Sequence, residues 1–332
     1  MNQVNGPQAT WQLTAGFFMT ARVVQTACML GVFDRLGGQP TTAEDLAAAL
    51  GADRLGIEAL LTACVAVGVL ERSSSGLYRN RPVATTFLQD NAAGSLRSTV
   101  VDAGRLYTEW VQLPQAVRGQ RSASRLTLSE DSPQAYQDGV FSTSWPAAIG
   151  FAAGDKFGRV RKVLDVGGGT GAYAIALCQR WPALHVTLLE RPSVVPAAKR
   201  SVASVGLADR ISVRSGDYRR DRFDADHDLV LLMNVLHQEV AGDAQRLVER
   251  AARALAPSGR LAIQDICLNP ARTGPAMAAL LGVNLFLHSG GSVHGVTELR
   301  AWLLALGLDV VQLDQQETTG STTIIARLPE PA

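Results

Sequence analysis

The sequence predicts a mainly helical N-terminal part followed by a doubly wound α/β domain. Three observations predict it. Apolar residues recur at helical spacing up to about residue 95, strand-length and helix-length apolar segments alternate from about residue 160 onward, and the first of those strands runs into the glycine-rich turn Gly167-Gly-Gly-Thr-Gly171. The expected division is 1–95, a helical connecting segment 96–158, and 159–332.

In the N-terminal part, residues 13–36 are largely apolar at helical spacing. Thr41-Thr-Ala-Glu44 has the form of a capping box opening a helix over 45–50, which Gly51 stops. A further helical run covers 54–69 and ends near Gly68. Residues 69–79 then read as strand, polar turn and strand. Short helices followed by a small hairpin describe a winged helix. Such a unit suggests DNA binding, but its second helix offers few cations, chiefly Arg54, and Leu60, Leu61, Val65 and Val67 make that helix look buried. A dimerisation module is the better expectation, because Val23, Val24, Cys28 and Leu30 give the first helix more apolar surface than a small unit hides alone. The 96–158 segment is helical in pattern and carries Trp110, Tyr136, Phe141 and Trp145. It is suited to joining the domains and walling a pocket, although plain helix packing accounts for any one of these aromatics.

From 160 onward the expected strands are 162–166, 185–190, 211–215, 228–233 and 260–266, with shorter ones near 308–313 and 321–327. No long helical segment separates the last two, so they are expected to form a terminal antiparallel pair. Composition narrows the function classes. The 332 residues are 47% hydrophobic and 18% charged, with a net charge of +1 and no basic run, which argues against a partner held by phosphate neutralisation. Cys28, Cys64, Cys178 and Cys267 lie far apart in apolar segments and form no C-x-x-C spacing, so buried thiols are expected rather than a zinc or disulfide framework. The N-terminal residues lack a basic and apolar leader pattern, and no stretch reaches 18 uninterrupted apolar residues; the expectation is a soluble cytoplasmic protein without a membrane partner.

The glycine turn lets a ligand approach the backbone, and turns of this kind sit where parallel sheets bind nucleoside cofactors. Gly167-x-Gly169-x-x-Ala172 also satisfies the relaxed dinucleotide pattern. Glu190 closes the second strand at the distance expected of an acid that receives both ribose hydroxyls. NAD and S-adenosylmethionine (SAM) both fit so far. Asp165 favours SAM, since a carboxylate against the turn repels a pyrophosphate and attracts an ammonium group. Gly216-Asp217-Tyr218 ends the third strand, where Asp217 can accept from an adenine amino group and Tyr218 can cover the ring; the plainer reading of Asp217 is a turn residue.

The fourth strand delivers His237 to that same rim, and Asp265 ends the next strand at the height needed to orient an imidazole. Neutral imidazole suits removal of a hydroxyl proton during methyl transfer.

With these residues in place, the chain resembles the SAM-dependent O-methyltransferases of the plant caffeic acid and bacterial polyketide type over nearly its whole length. The resemblance rests on Asp165 to Gly171, Glu190, Asp217, Tyr218, His237, Asp265, the segment Leu287-His-Ser-Gly-Gly291, and Glu298 to Trp302 with Gly307. It implies a Rossmann-like class I methyltransferase domain behind a winged-helix dimerisation domain, and a homodimer. It also implies SAM held by Asp165, Gly167, Gly169, Glu190, Gly216, Asp217 and Tyr218, with His237 as base and Asp265 orienting it. The acceptor would be a small aromatic or polyketide-like molecule, in a pocket between the 96–158 helices and 277–294 that draws on Trp145, Met277, Leu281, Phe286, His288 and His294.

The chain departs from the family where Asp and Trp usually follow the histidine; here they are Gln238 and Glu239. Val293 stands where a second orienting acid is expected, and His294 replaces an arginine. Two alternatives therefore stand beside phenol O-methylation. One is metal-assisted C-methylation of a 2-oxo acid, with His237 and His288 as ligands; no metal is expected on the main reading. The other is a non-methylating role in which SAM is a structural or electrostatic element.

Overall fold

The computed structural model describes residues 7–92, 94–120, 134–154 and 157–329, and within these the side chains of Arg105, Thr108, 134–140 and Ser142, Tyr136 among them, lie outside the description. The chain forms two compact units. One is built from the chain up to Val111 together with Asp138–Ser142, the other from the rest.

In the first unit, the helices Ala43–Leu50 and Arg54–Ala66 precede an antiparallel hairpin of β1 (Leu70–Arg72) and β2 (Tyr78–Asn80). The winged-helix pattern is present, with local corrections. The cap of the first of these helices is Thr42, one residue later than expected: its hydroxyl oxygen accepts from Asp45 N–H at 3.1 Å and donates to the Asp45 carboxylate at 2.7 Å. Thr41 is unavailable because its backbone pairs with Tyr78 in both directions. The next helix is capped by Asp53 and stops at Ala66. Of the four residues expected to be buried on it and just after it, Leu61 is fully buried, Leu60 and Val65 are half-buried, and Val67 is exposed. The apolar run over 13–36 is not one helix. A π-helical turn, Gln12–Gly16, leads into the helix Phe17–Met29, and Gly31 then takes a left-handed φ of 72° that separates the helix Val32–Arg35. Ala27, Cys28, Phe33, Leu46 and Leu61 form its core, while Trp11, Phe17, Phe18, Met29 and Leu30 remain exposed.

The second unit holds a seven-stranded sheet: β3 (Lys162–Val166), β4 (His185–Glu190), β5 (Ile211–Ser215), β6 (His227–Met233), β7 (Leu255–Ile266), β8 (Asp309–Gln315) and β9 (Ser321–Arg327). Their order is β5-β4-β3-β6-β7-β9-β8. The first five are parallel, and β9 is antiparallel to both its neighbours. β7 starts at Leu255, five residues earlier than expected, because Leu255 already pairs with His227 before a register shift. The central strands are buried on both faces: Leu164, Val166, Val230, Leu232, Leu261 and Ile263 pack under the helices Ala241–Arg253 and Val296–Ala305, and Val163, Leu229, Leu231 and Ala262 are buried on the other face. Chain order reverses between β3 and β6, which opens a crevice at their carboxyl ends, the place where such sheets bind ligands. All four cysteines are buried free thiols. Among the described residues, no helix is long and apolar enough to cross a membrane.

Candidate active site

β3 delivers Asp165 into the crevice completely buried, and neither carboxylate oxygen has a hydrogen-bond partner within the protein. Burial, reinforced by the negative charge of Glu190, pushes its carboxyl up to about 7. An unpartnered buried carboxylate is costly unless a ligand supplies the cation or donor it lacks. The turn wraps around it. A side chain on Gly168 would lie 2.6 Å from Asp165 Oδ2, and one on Gly167, whose φ is 66°, would meet Val235 at 2.9 Å. Gly171, at φ 92°, opens the helix Ala172–Arg180 with no side-chain cap on its first amides.

Glu190 ends β4, buried, with Oε2 accepting from Gly169 N–H at 3.0 Å and Oε1 from Arg191 N–H at 2.8 Å. These contacts tie the acid to the glycine turn and fix the direction of its two oxygens. At the end of β5, Asp217 Oδ1 accepts from Arg219 N–H, which is the turn geometry weighed for it, and Gly216 sits where a side chain would meet Leu189 at 2.7 Å. Tyr218 is buried, and its hydroxyl donates to Glu239 Oε1 at 2.8 Å. Glu239 also takes Arg219 Nε at 2.7 Å. The sequence marked Glu239 as a departure; its link to Tyr218 joins the segment after β5 to the turn after β6, two strands that β4 and β3 separate in the sheet.

After β6, Asn234 takes a left-handed φ of 55° and bends the chain into the short 3₁₀ turn Leu236–Gln238. This turn places His237 against the end of β7. His237 N–H donates to Asp265 Oδ2 at 3.1 Å, and its ring Nδ1 lies 2.6 Å from Asp265 Oδ1. Gln238 Nε2 lies 2.8 Å from the other ring nitrogen. An amide nitrogen can only donate, so Nε2 of the ring accepts and the ring proton sits on Nδ1, donated to Asp265. Burial pushes the His237 pKa down, but the charge and hydrogen bond of Asp265 outweigh it, and the net direction is up.

The segment after the helix Ala276–His288 packs on this turn. Gly291 leaves no room for a side chain, since a Cβ would overlap the His237 carbonyl oxygen. Gly291→Ala is therefore expected to displace the turn and lower turnover at least tenfold with the fold retained; a steady-state assay alongside circular dichroism checks this. Val293 is buried among Leu268, Ala278 and Leu285 and offers no charge. His294 turns toward the protein interior: Nε2 lies 3.1 Å from the Leu236 carbonyl, and its ring packs edge-on against Trp302. Its place is behind the turn that carries His237. His288 is buried, Leu281 and Phe286 are half-buried, Met277 is exposed, and Trp145, on the helix Gln134–Ala152, is half-buried. Beside the His237 turn lies a cavity of about 430 Å³ whose walls include Tyr218, Gln238, Glu239, Arg250, Ser289 and Gly290. Among the described residues, no group of three or more metal-ligating side chains comes together.

The O-methyltransferase domain family matches residues 127–308, and its dimerisation domain matches residues 11–90. The chain belongs to the O-methyltransferase family. This O-methyltransferase is 29% identical over 329 residues to the 3-hydroxy-5-methyl-1-naphthoate 3-O-methyltransferase of Streptomyces sahachiroi, covering 96% of this chain and 94% of the relative. It is 30% identical over 303 residues to the mitomycin biosynthesis 6-O-methyltransferase of Streptomyces lavendulae, covering 87% and 86%. The structure of human N-acetylserotonin methyltransferase in complex with SAM superposes with a TM-score of 0.84 at 27% identity over 99% of both chains. The enzyme is a SAM-dependent methyltransferase, and the unpartnered Asp165 and the glycine cradle fit that cofactor.

Proposed function

We propose that this enzyme methylates a hydroxyl of a small aromatic or polyketide-like natural product, with His237 as the general base. The observation that carries this reading is the buried His237–Asp265 pair, which sits on the same strand rim as the orphaned carboxylate of Asp165. The names of the Streptomyces relatives, which act on a naphthoate and in mitomycin biosynthesis, support the acceptor class.

Asp165 would receive the cofactor's ammonium group, and Glu190 its ribose hydroxyls. Bound SAM supplies a methyl group on positively charged sulfur, already activated for displacement. With SAM bound, His237 Nε2 would take the proton of the acceptor hydroxyl, freeing that oxygen to receive the methyl group while the carbon–sulfur electron pair would stay with sulfur. Asp265 holds the ring by Nδ1 and stabilises the imidazolium, which afterwards gives its proton to water. Alignment and proximity supply much of the rate, up to about 7–11 kcal/mol in favourable cases.

The test is mass spectrometry of the protein with methyl-labelled SAM and a panel of phenols, polyketides and 2-oxo acids, with and without a chelator. The expected result is a labelled ether whose yield is indifferent to chelator. Product formed from 2-oxo acids alone and lost with chelator would sink the reading. Glu190→Gln is expected to weaken SAM binding at least tenfold, because the amide accepts at one oxygen only; calorimetry with SAM measures it. The residues matched to the dimerisation domain carry the exposed row Trp11, Phe17, Phe18, Met29 and Leu30, which suits a homodimer.

A further inference from the structure

The hydrogen bond between the Gln238 amide and His237 Nε2, at 2.8 Å, occupies the lone pair that the reaction needs. A neutral imidazole has a single lone pair, in the ring plane, and it cannot accept well from an amide and a hydroxyl at once. The acceptor hydroxyl must therefore displace Gln238. His237 is largely buried, with 13% of its side chain exposed, and a displaced amide N–H in such a place loses free energy unless it finds another acceptor. Asp265 is committed to the His237 ring and backbone and to Ile266 N–H, Glu239 Oε1 is taken by Tyr218 and Arg219, and Val293 stands where the family has an acid. Gln238 also faces the 430 Å³ cavity beside the turn.

We propose that Gln238 is a specificity-determining residue: its amide caps the resting base, and on acceptor binding it moves to an oxygen carried beside the reacting hydroxyl. This rests on the base role of His237. The substrate class it selects is the aromatic hydroxyl with a hydrogen-bond-accepting oxygen on the adjacent carbon, such as an ether, a carbonyl or a second hydroxyl. An isolated phenol would uncap the base and offer the amide no acceptor of its own. Gln238 takes no part in bond making or breaking.

The experiment uses the full-length protein saturated with S-adenosylhomocysteine, so that binding is read without turnover. Calorimetry compares three probes: 3-methoxy-2-naphthol, the similarly sized 3-ethyl-2-naphthol, and 2-naphthol. The wild type is expected to bind the methoxy probe about tenfold more tightly than the ethyl probe, the size of one neutral hydrogen bond. In Gln238→Leu the preference disappears, and the ethyl probe binds more tightly than to wild type because no cap is displaced. Gln238→Glu, nearly the same shape but unable to donate when ionised, loses the preference too and serves if the leucine variant fails to fold. Equal binding of the two probes to wild type, or an unchanged ratio in either variant, overturns the proposal. Turnover of His237→Ala is read separately, so a failed base role and a failed specificity role give different results.

Discussion

Replacing Asp165 by Asn is expected to weaken SAM binding at least thirtyfold while making the cofactor-free protein more stable at pH 8. The buried carboxyl has its pKa raised from 3.8 to about 7, first by desolvation and then by Glu190. A folded-state value above the unfolded one means the folded chain binds the extra proton between those two values, so stability falls as pH rises through that window. A rise of about three pH units at about 1.4 kcal/mol each makes the ionised form cost on the order of 4 kcal/mol above pH 7. Asparagine never ionises and escapes that cost. It also cannot pair with an ammonium group, and losing a buried charged partner typically costs a ligand about 2–5 kcal/mol, or thirtyfold to several thousandfold in affinity. Thermal melts of both proteins at pH 5 and pH 8, with SAM titrated by calorimetry, check both halves. A variant that binds SAM like wild type, or melts lower than wild type at pH 8, would sink this account of the crevice.

His237→Ala is expected to lower methyl transfer by about 10²–10⁴-fold with SAM affinity unchanged, the range that a positioned base contributes. The two effects separate because the acids proposed to hold SAM, Asp165 and Glu190, come from β3 and β4, whereas His237 rides on the turn after β6. Asp265→Asn should follow it in direction but fall short in size, since the ring loses its ionised partner and keeps a neutral one. The pH profile has a defined sign. Asp265 raises the His237 pKa against the pull of burial, so the neutral base is fully present only above that raised value and activity falls as pH drops through it. In Asp265→Asn the acid limb moves to lower pH. Turnover of His237→Ala equal to wild type would remove the ring from the chemistry and leave alignment alone.

Much of the crevice was legible because parallel strands end at one height. The glycines, Asp165 and Glu190 stand out by residue type at strand ends. His237 and Asp265 follow from the same rule, since Met233 of β6 pairs with Gln264 of β7 and the residues just beyond meet above the sheet. Helix boundaries were less legible. Thr41 and Thr42 are chemically equal caps, and only the pairing of Thr41 with Tyr78, far along the chain, decides between them. The early start of β7 is of the same kind, because Leu255 becomes strand by pairing with His227.

The sequence by itself determined the fold class, the glycine cradle, the cofactor chemistry and the family, because periodicity and residue type are local properties of the chain. Only the tertiary structure decided where side chains point. It turned His294 onto the Leu236 carbonyl, drew Glu239 between Tyr218 and Arg219, and set the Gln238 amide on the His237 ring. The reason is physical. A buried polar group takes whichever partner the packing of distant strands and loops brings within reach, and its own sequence neighbours do not encode that partner.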